Sequence, residues 1–192
     1  MIIRNRMPPW HENFKLINGH VLLLRPIRSE DIAPLEGAIA LMEPQVLRER
    51  FTTAHLHGDQ PDKLKLTHPN PKSEIVLVAA ESLPPGEALI AAIAYANITP
   101  ETRNGEFIIL VSQFVHEQGL EHQLLRKLVK WSRGKHLEHL SGELRADHKP
   151  LLDLAQSLGF TTQQGSTDAL VRVQLVLQPS SVPPTASEDQ PL

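Results

Sequence analysis

The chain has 192 residues, 41% hydrophobic and 21% charged, with a formal net charge of −3. That length favours one domain with a core of ordinary size, and the charge gives no reason to expect a nucleic-acid partner. Zero cysteines exclude a disulfide framework, a thiolate nucleophile and a cysteine metal site.

The longest apolar run, Ala88 to Ala96, is about half the length of a membrane-spanning helix, and MIIRNRMPPW lacks a signal-peptide core. The expectation is a soluble, cytoplasmic protein with no membrane partner. Residues 1–13 read as a flexible lead-in to a single folded unit over 14–178. Phe14–Leu16 and Val21–Leu24 flank Asn18-Gly19, which is a hairpin signal. Arg25-Pro26 ends that strand. Ser29-Glu30-Asp31 then supplies an N-cap and first-turn acids for a helix over residues 30–42. Pro44 interrupts it, and Val46, Leu47, Arg50 and Phe51 mark a second helix to His55. Residues 57–73 read as loop, with a turn of helix near Lys63–Thr67.

Ile75–Ala80, Ala88–Asn97 and Phe107–Val115 are apolar enough for buried strands. A polar loop, His116-Glu117-Gln118-Gly119, leads into Leu120, Leu124, Leu128 and Trp131, which share one helical face widened by Leu125 and Val129. The start of such a helix presents unpaired N–H groups and about half a positive charge, so it suits an anion. Leu140–Arg145 makes a further strand. Pro150 fits the first turn of a helix carrying Leu151, Leu154, Ala155 and Leu158, which Gly159 and Phe160 terminate. Ala169–Leu177 alternates as a last strand, and the Pro/Ser-rich tail 179–192 reads as disordered. This order argues for an α+β or mixed α/β domain with one sheet and helices on both faces. There is no Gly-x-Ser-x-Gly elbow and no Gly-rich Lys-Ser/Thr loop, and the ten histidines form no HExxH set, so no metal is expected.

RPIRSED (25–31), EFIILVSQFVHEQGLEHQLL (106–125) and GELRADHKPLLDLAQSLGF (142–160) resemble the GNAT N-acetyltransferase superfamily. More narrowly, they are similar to the acetyltransferase domain of bacterial Pat-type protein lysine acetyltransferases. The likeness covers residues 14–177. It implies a GNAT-like acyl-CoA N-acyltransferase fold, with one mixed central sheet of about six or seven strands and helices on both faces. It also implies acetyl-CoA, or another short acyl-CoA, as co-substrate in a cleft where the strands of Phe107 and Leu140 splay apart. Pantetheine would pair with backbone from Val111 to Gln113. The pyrophosphate would rest among His116, Gln118, Gly119, Leu120, Glu121 and His122. His148 replaces an asparagine that caps the last long helix and meets CoA in the family.

Glu106 matches the family's general base. It would take a proton from an amine acceptor, a protein lysine for example, before direct attack on the thioester. Read from the residues alone, Glu106 is first a cap on the turn after Asn104-Gly105, and His148 is a capping or surface histidine. Ala155 stands where other GNAT enzymes place a tyrosine acid. The family pattern Gln/Arg-x-x-Gly-x-Gly/Ala falls on His116–Glu121, where Gly119 matches and His116 and Glu121 depart. Glu117 replaces a glycine usual in Pat-type domains. A carboxylate about 5 Å from a phosphate charge costs roughly 3 kcal/mol at an effective dielectric of about 20, or about a hundredfold in affinity. The same acids gain roughly 0.3–1 kcal/mol from the helix dipole. Two readings therefore stand: an N-acetyltransferase, or a degenerate GNAT-fold domain with a weakened or lost CoA site serving as a binding or regulatory module. Neither acceptor nor oligomeric state is legible.

Overall fold

The computed structural model describes residues 8–41, 62–84, 86–115 and 118–178, with the side chain of Gln113 excluded. The helix expected over 46–55, the tail 179–192, His116 and Glu117 lie outside the described residues.

Eight strands form one sheet: β1 (Glu12–Lys15), β2 (Val21–Pro26), β3 (Glu74–Ala80), β4 (Ile90–Ile98), β5 (Asn104–Val111), β6 (His139–Arg145), β7 (Thr161–Gln164) and β8 (Leu170–Val176). Their spatial order is β1-β2-β3-β4-β5-β6-β8-β7. The helices are α1 (Ile32–Ala40), α2 (Lys63–Thr67), α3 (Leu120–Gly134) and α4 (Lys149–Ser157), with 3-10 turns at Ser29–Asp31 and Gln113–Val115. Neighbouring strands run antiparallel except β5 and β6, which the α3 crossover makes parallel.

The sheet has one strand more than the upper end of the expected six or seven, and the addition is β7. All four residues of β7 are polar and exposed, so no apolar alternation marked it. It exists because β8 offers it a ladder, from Thr161↔Gln174 to Gln164↔Val171. The strand expected over Phe107–Val115 stops at Val111. There the Val115 N–H turns back to the Ser112 carbonyl at 3.0 Å.

Side chains alternate between two cores. On one face, Phe107, Ile109, Leu140 and Val173 pack with Leu120, Leu124 and Leu128 of α3 and with Leu151 and Ala155 of α4. On the other, Val76, Val78, Ile93, Tyr95, Ile108 and Leu110 pack with Leu35 and Ile39 of α1 and Leu66 of α2. The latter face is bolted at its start by a buried ion pair. Arg25 donates to both oxygens of Asp31 at 2.6 and 2.8 Å, and the Arg28 N–H adds a third bond at 2.8 Å. Burial alone would raise the Asp31 carboxyl's pKa; the Arg25 guanidinium and the Arg28 N–H outweigh it and hold the pKa below the usual value. At the other end of the chain, Gly159 takes φ +94 after α4, and the Phe160 N–H returns to the Ala155 carbonyl at 3.0 Å.

Candidate functional site

Strands β5 and β6 pair from Asn104↔His139 to Phe107↔Gly142 and then part. Beyond that point each keeps its outer partner: β5 stays on β4 as far as Val111↔Ala92, and β6 stays on β8 as far as Arg145↔Leu170. The result is a V with its vertex at Phe107 and Gly142. Glycine is required there by close approach, since a Cβ on Gly142 would sit 2.6 Å from the Phe107 ring. That ring in turn meets Phe160 edge-on, with centroids 6.0 Å apart.

The V is lined by unused backbone. The Ser112 N–H donates to the Ala91 carbonyl at 2.9 Å. In an antiparallel ladder, hydrogen-bonding direction alternates residue by residue, so the N–H and C=O of Ile109 and Val111 point away from β4 into the opening. Past Gly142, β6 gives them no ladder partner. An extended, amide-bearing ligand fits such an edge as an added strand. Val111, expected at this edge, stands there. Gln113 lies beyond it in the 3-10 turn, off the extended strand.

Gln118 and Gly119 lead into α3. Gly119 is the helix N-cap at φ +79. Gln118 Oε1 accepts from the Ile17 N–H at 2.9 Å, tying the loop to the β1–β2 turn. Leu120 is fully buried in the core, so only its backbone can face a ligand. Glu121 is 4% exposed and turns toward α4, its Oε1 3.8 Å from Nε2 of His148. His148 in turn caps α4 by accepting the Leu151 N–H on Nδ1 at 3.2 Å. Glu121 and His148 are thus brought together, while His122 sits half-buried on the same helix.

Glu106 occupies the opposite face of the sheet from α3. Register places it in one transverse row: Glu74↔Asn97↔Glu106↔Ser141↔Gln174. Its Oε1 lies 3.8 Å from Nη2 of Arg172, and its side chain is 28% exposed. Arg172 also donates to Ser141 Oγ at 3.5 Å. Glu143, one row on, accepts the Ser166 N–H and hydroxyl at 2.7 and 2.9 Å. Glu106, Phe107, Ile108, Ser141, Gly142, Glu143 and Arg172 together line an open pocket at the vertex. The single tyrosine, Tyr95, donates its hydroxyl to Glu74 at 3.1 Å. Burial, and then the carboxylates of Glu74 and Glu106, push its ionisation far above the ordinary tyrosine range, so it stays a proton donor.

Asn97, Ser141, Glu143 and Arg172 were not anticipated. The row depends on the β5–β6 register, which a long crossover sets and no local sequence signal records. Among the described residues, no three His, Cys, Asp or Glu side chains group to hold a metal, and no helix is long and apolar enough to cross a membrane.

No protein-family model matches the chain. Solved structures do. The GNAT domain of S. lividans PAT is 17% identical with a TM-score of 0.64, over 90% of this chain and 100% of that one. The protein yncA of Salmonella typhimurium, solved with its cofactor acetyl-CoA, is 18% identical with a TM-score of 0.59, over 85% of this chain and 98% of that one. Spermidine N-acetyltransferase from Vibrio cholerae, in complex with CoA and spermine, is 14% identical with a TM-score of 0.58, over 81% and 95%. The class defined by this sheet and its V is the GNAT fold. At these identities the likeness is one of fold, and the chain has that fold.

Proposed function

We propose that this chain is an N-acyltransferase that uses acetyl-CoA, or another short acyl-CoA, as co-substrate and a primary amine as acceptor, a protein lysine being one such amine. The observation that carries this is the open V, with unused backbone on one limb and a carboxylate, Glu106, beside the vertex pocket. The three structural neighbours named above, two of them holding acetyl-CoA or CoA, support the same reading. Residues 14–178 form the catalytic unit, and a cytoplasmic setting suits a chain with no cysteine.

The residues present fit the donor. The N–H and C=O groups of Ile109 and Val111 match the amides of a pantetheine arm. The first-turn amides of α3, with Gly119, Leu120 and His122 around them, take the pyrophosphate, and Gln118 fixes the loop from the hairpin side. His148 holds the start of α4 beside this end. The acyl donor supplies a thioester carbon that a neutral amine attacks directly. Glu106 removes the proton that an ammonium must lose first, directly or through one water. Backbone N–H groups in the V polarise the carbonyl.

A second reading has one specific observation in its favour. Glu121 places a carboxylate in the first turn of α3, where it meets the charge of a pyrophosphate. On that reading the fold persists as a binding or regulatory module. Release of the CoA thiol with acetyl-CoA and a panel of primary amines and lysine peptides separates the two. Turnover that falls in Glu106→Gln supports the enzyme. No turnover with any amine, together with no acetyl-CoA binding, supports the module.

A further inference from the structure

Three buried side-chain atoms without a hydrogen-bond partner share the Glu106 face: Asn97 Oδ1, Glu106 Oε2 and His139 Nδ1. Buried polar atoms are almost always satisfied, so three on adjacent strands call for an explanation. Asn97 is the telling one, because it is 9% exposed and sits directly across the β4–β5 ladder from Glu106. Side chains of such a pair start about 5 Å apart on the same face.

Both orphaned atoms of this pair are acceptors, and one belongs to an anion. Their complement is a cation carrying at least two N–H donors. The neighbouring charges leave that seat open. Arg172 reaches the other oxygen of Glu106, at 3.8 Å. At the end of the row, Glu74 is already engaged by the Tyr95 hydroxyl, by the Asn70 N–H at 2.8 Å and by Lys65 at 3.9 Å. Glu143 is held by Ser166.

Resting on the acyl-transfer reading above, we infer that Asn97 Oδ1 and Glu106 Oε2 form a two-acceptor seat for the acceptor's ammonium group, with Asn97 setting the requirement for a nitrogen that carries at least two N–H donors. A primary ammonium gives one N–H to each oxygen. Once Glu106 has taken a proton, the neutral amine still donates one N–H to Asn97, which leaves its lone pair turned elsewhere. A tertiary ammonium offers one N–H and cannot satisfy both oxygens.

The test uses the full chain, isotope-labelled, with n-propylammonium and trimethylpropylammonium as probes and no acyl donor present. Propylammonium should shift the Asn97 side-chain amide and the Gly105 and Ser141 backbone signals saturably, whereas the trimethyl ion, equal in charge but without N–H, should not. Asn97→Leu and Glu106→Gln should each weaken propylammonium at least tenfold, and Asn97→Asp, which keeps an acceptor oxygen, should retain it. Asn97→Leu should also keep or raise Tm, whereas an asparagine with a purely structural role would lower it on replacement. Equal shifts from both probes, no shift at saturating propylammonium, or unweakened binding by Asn97→Leu would each overturn the seat. Propylammonium binding without acyl transfer would uphold the seat and remove the enzyme reading. Turnover in Asn97→Leu with an unchanged KM for the amine would do the reverse.

Discussion

Replacing Asp31 with alanine removes the acceptor of three hydrogen bonds, two from Arg25 and one from the Arg28 N–H. Asp31 is fully buried and Arg25 is 2% exposed, so water cannot take over. The guanidinium left behind keeps one bond, to the Pro26 carbonyl at 3.1 Å. Breaking one partner of such a pair costs about 3–5 kcal/mol, a large share of the roughly 5–15 kcal/mol that holds a domain together. For a chain of this size each kcal/mol moves Tm by about 2–4 °C, so a fall of about 6–20 °C is expected. Urea and thermal unfolding at pH 7 read it directly. The double replacement Arg25→Met with Asp31→Leu should recover most of the loss, because two apolar side chains leave no buried charge. The pH dependence has a fixed sign. A carboxyl held below its ordinary pKa contributes fully above about pH 3.9, and the contribution fades as pH falls through the folded value. The gap between wild type and Asp31→Asn should therefore narrow in acid. A loss under about 1 kcal/mol at pH 7 would refute the reasoning, since that is the worth of an exposed pair.

Glu106→Gln should lower turnover about 10²–10⁴-fold while leaving the KM for acetyl-CoA unchanged in steady-state assays. Gly142→Val should push the Phe107 ring off the vertex, cost about 1–3 kcal/mol in urea titration and weaken acetyl-CoA binding. Glu121→Gly should tighten acetyl-CoA about tenfold by calorimetry, less than an unpaired carboxylate would give, because Glu121 faces His148. Tyr95→Phe should destabilise by about 1 kcal/mol in the same titration, through the lost bond to Glu74.

Features governed by neighbours in sequence were legible. Asn18-Gly19 turns the first hairpin, with Gly19 at φ +87, and Gly159 with Phe160 stops α4 as its chemistry requires. The helical turn near Lys63 matches α2 residue for residue. Features set by distant partners were not. RPIRSED reads locally as a helix start, yet Asp31 is swallowed by Arg25 from the preceding strand. The run from Phe107 to Val115 is apolar throughout, so nothing in it shows that β5 ends at Val111. Glu106 and Gly119 enter as candidate site residues only because a resemblance points to them. Asn97 looked like the end of an apolar strand, and only the β4–β5 register sets it opposite Glu106.

The most direct test of the V as a donor site is calorimetric titration of acetyl-CoA into wild type and Val111→Pro. The Val111 N–H points into the opening and serves no strand, so proline there removes the proposed ligand contact while the sheet keeps its own bonds. Saturable one-site binding by wild type, clearly weakened in Val111→Pro at a nearly unchanged Tm, is the predicted result. No heat with wild type at millimolar acetyl-CoA, or equal binding by both proteins, would contradict it.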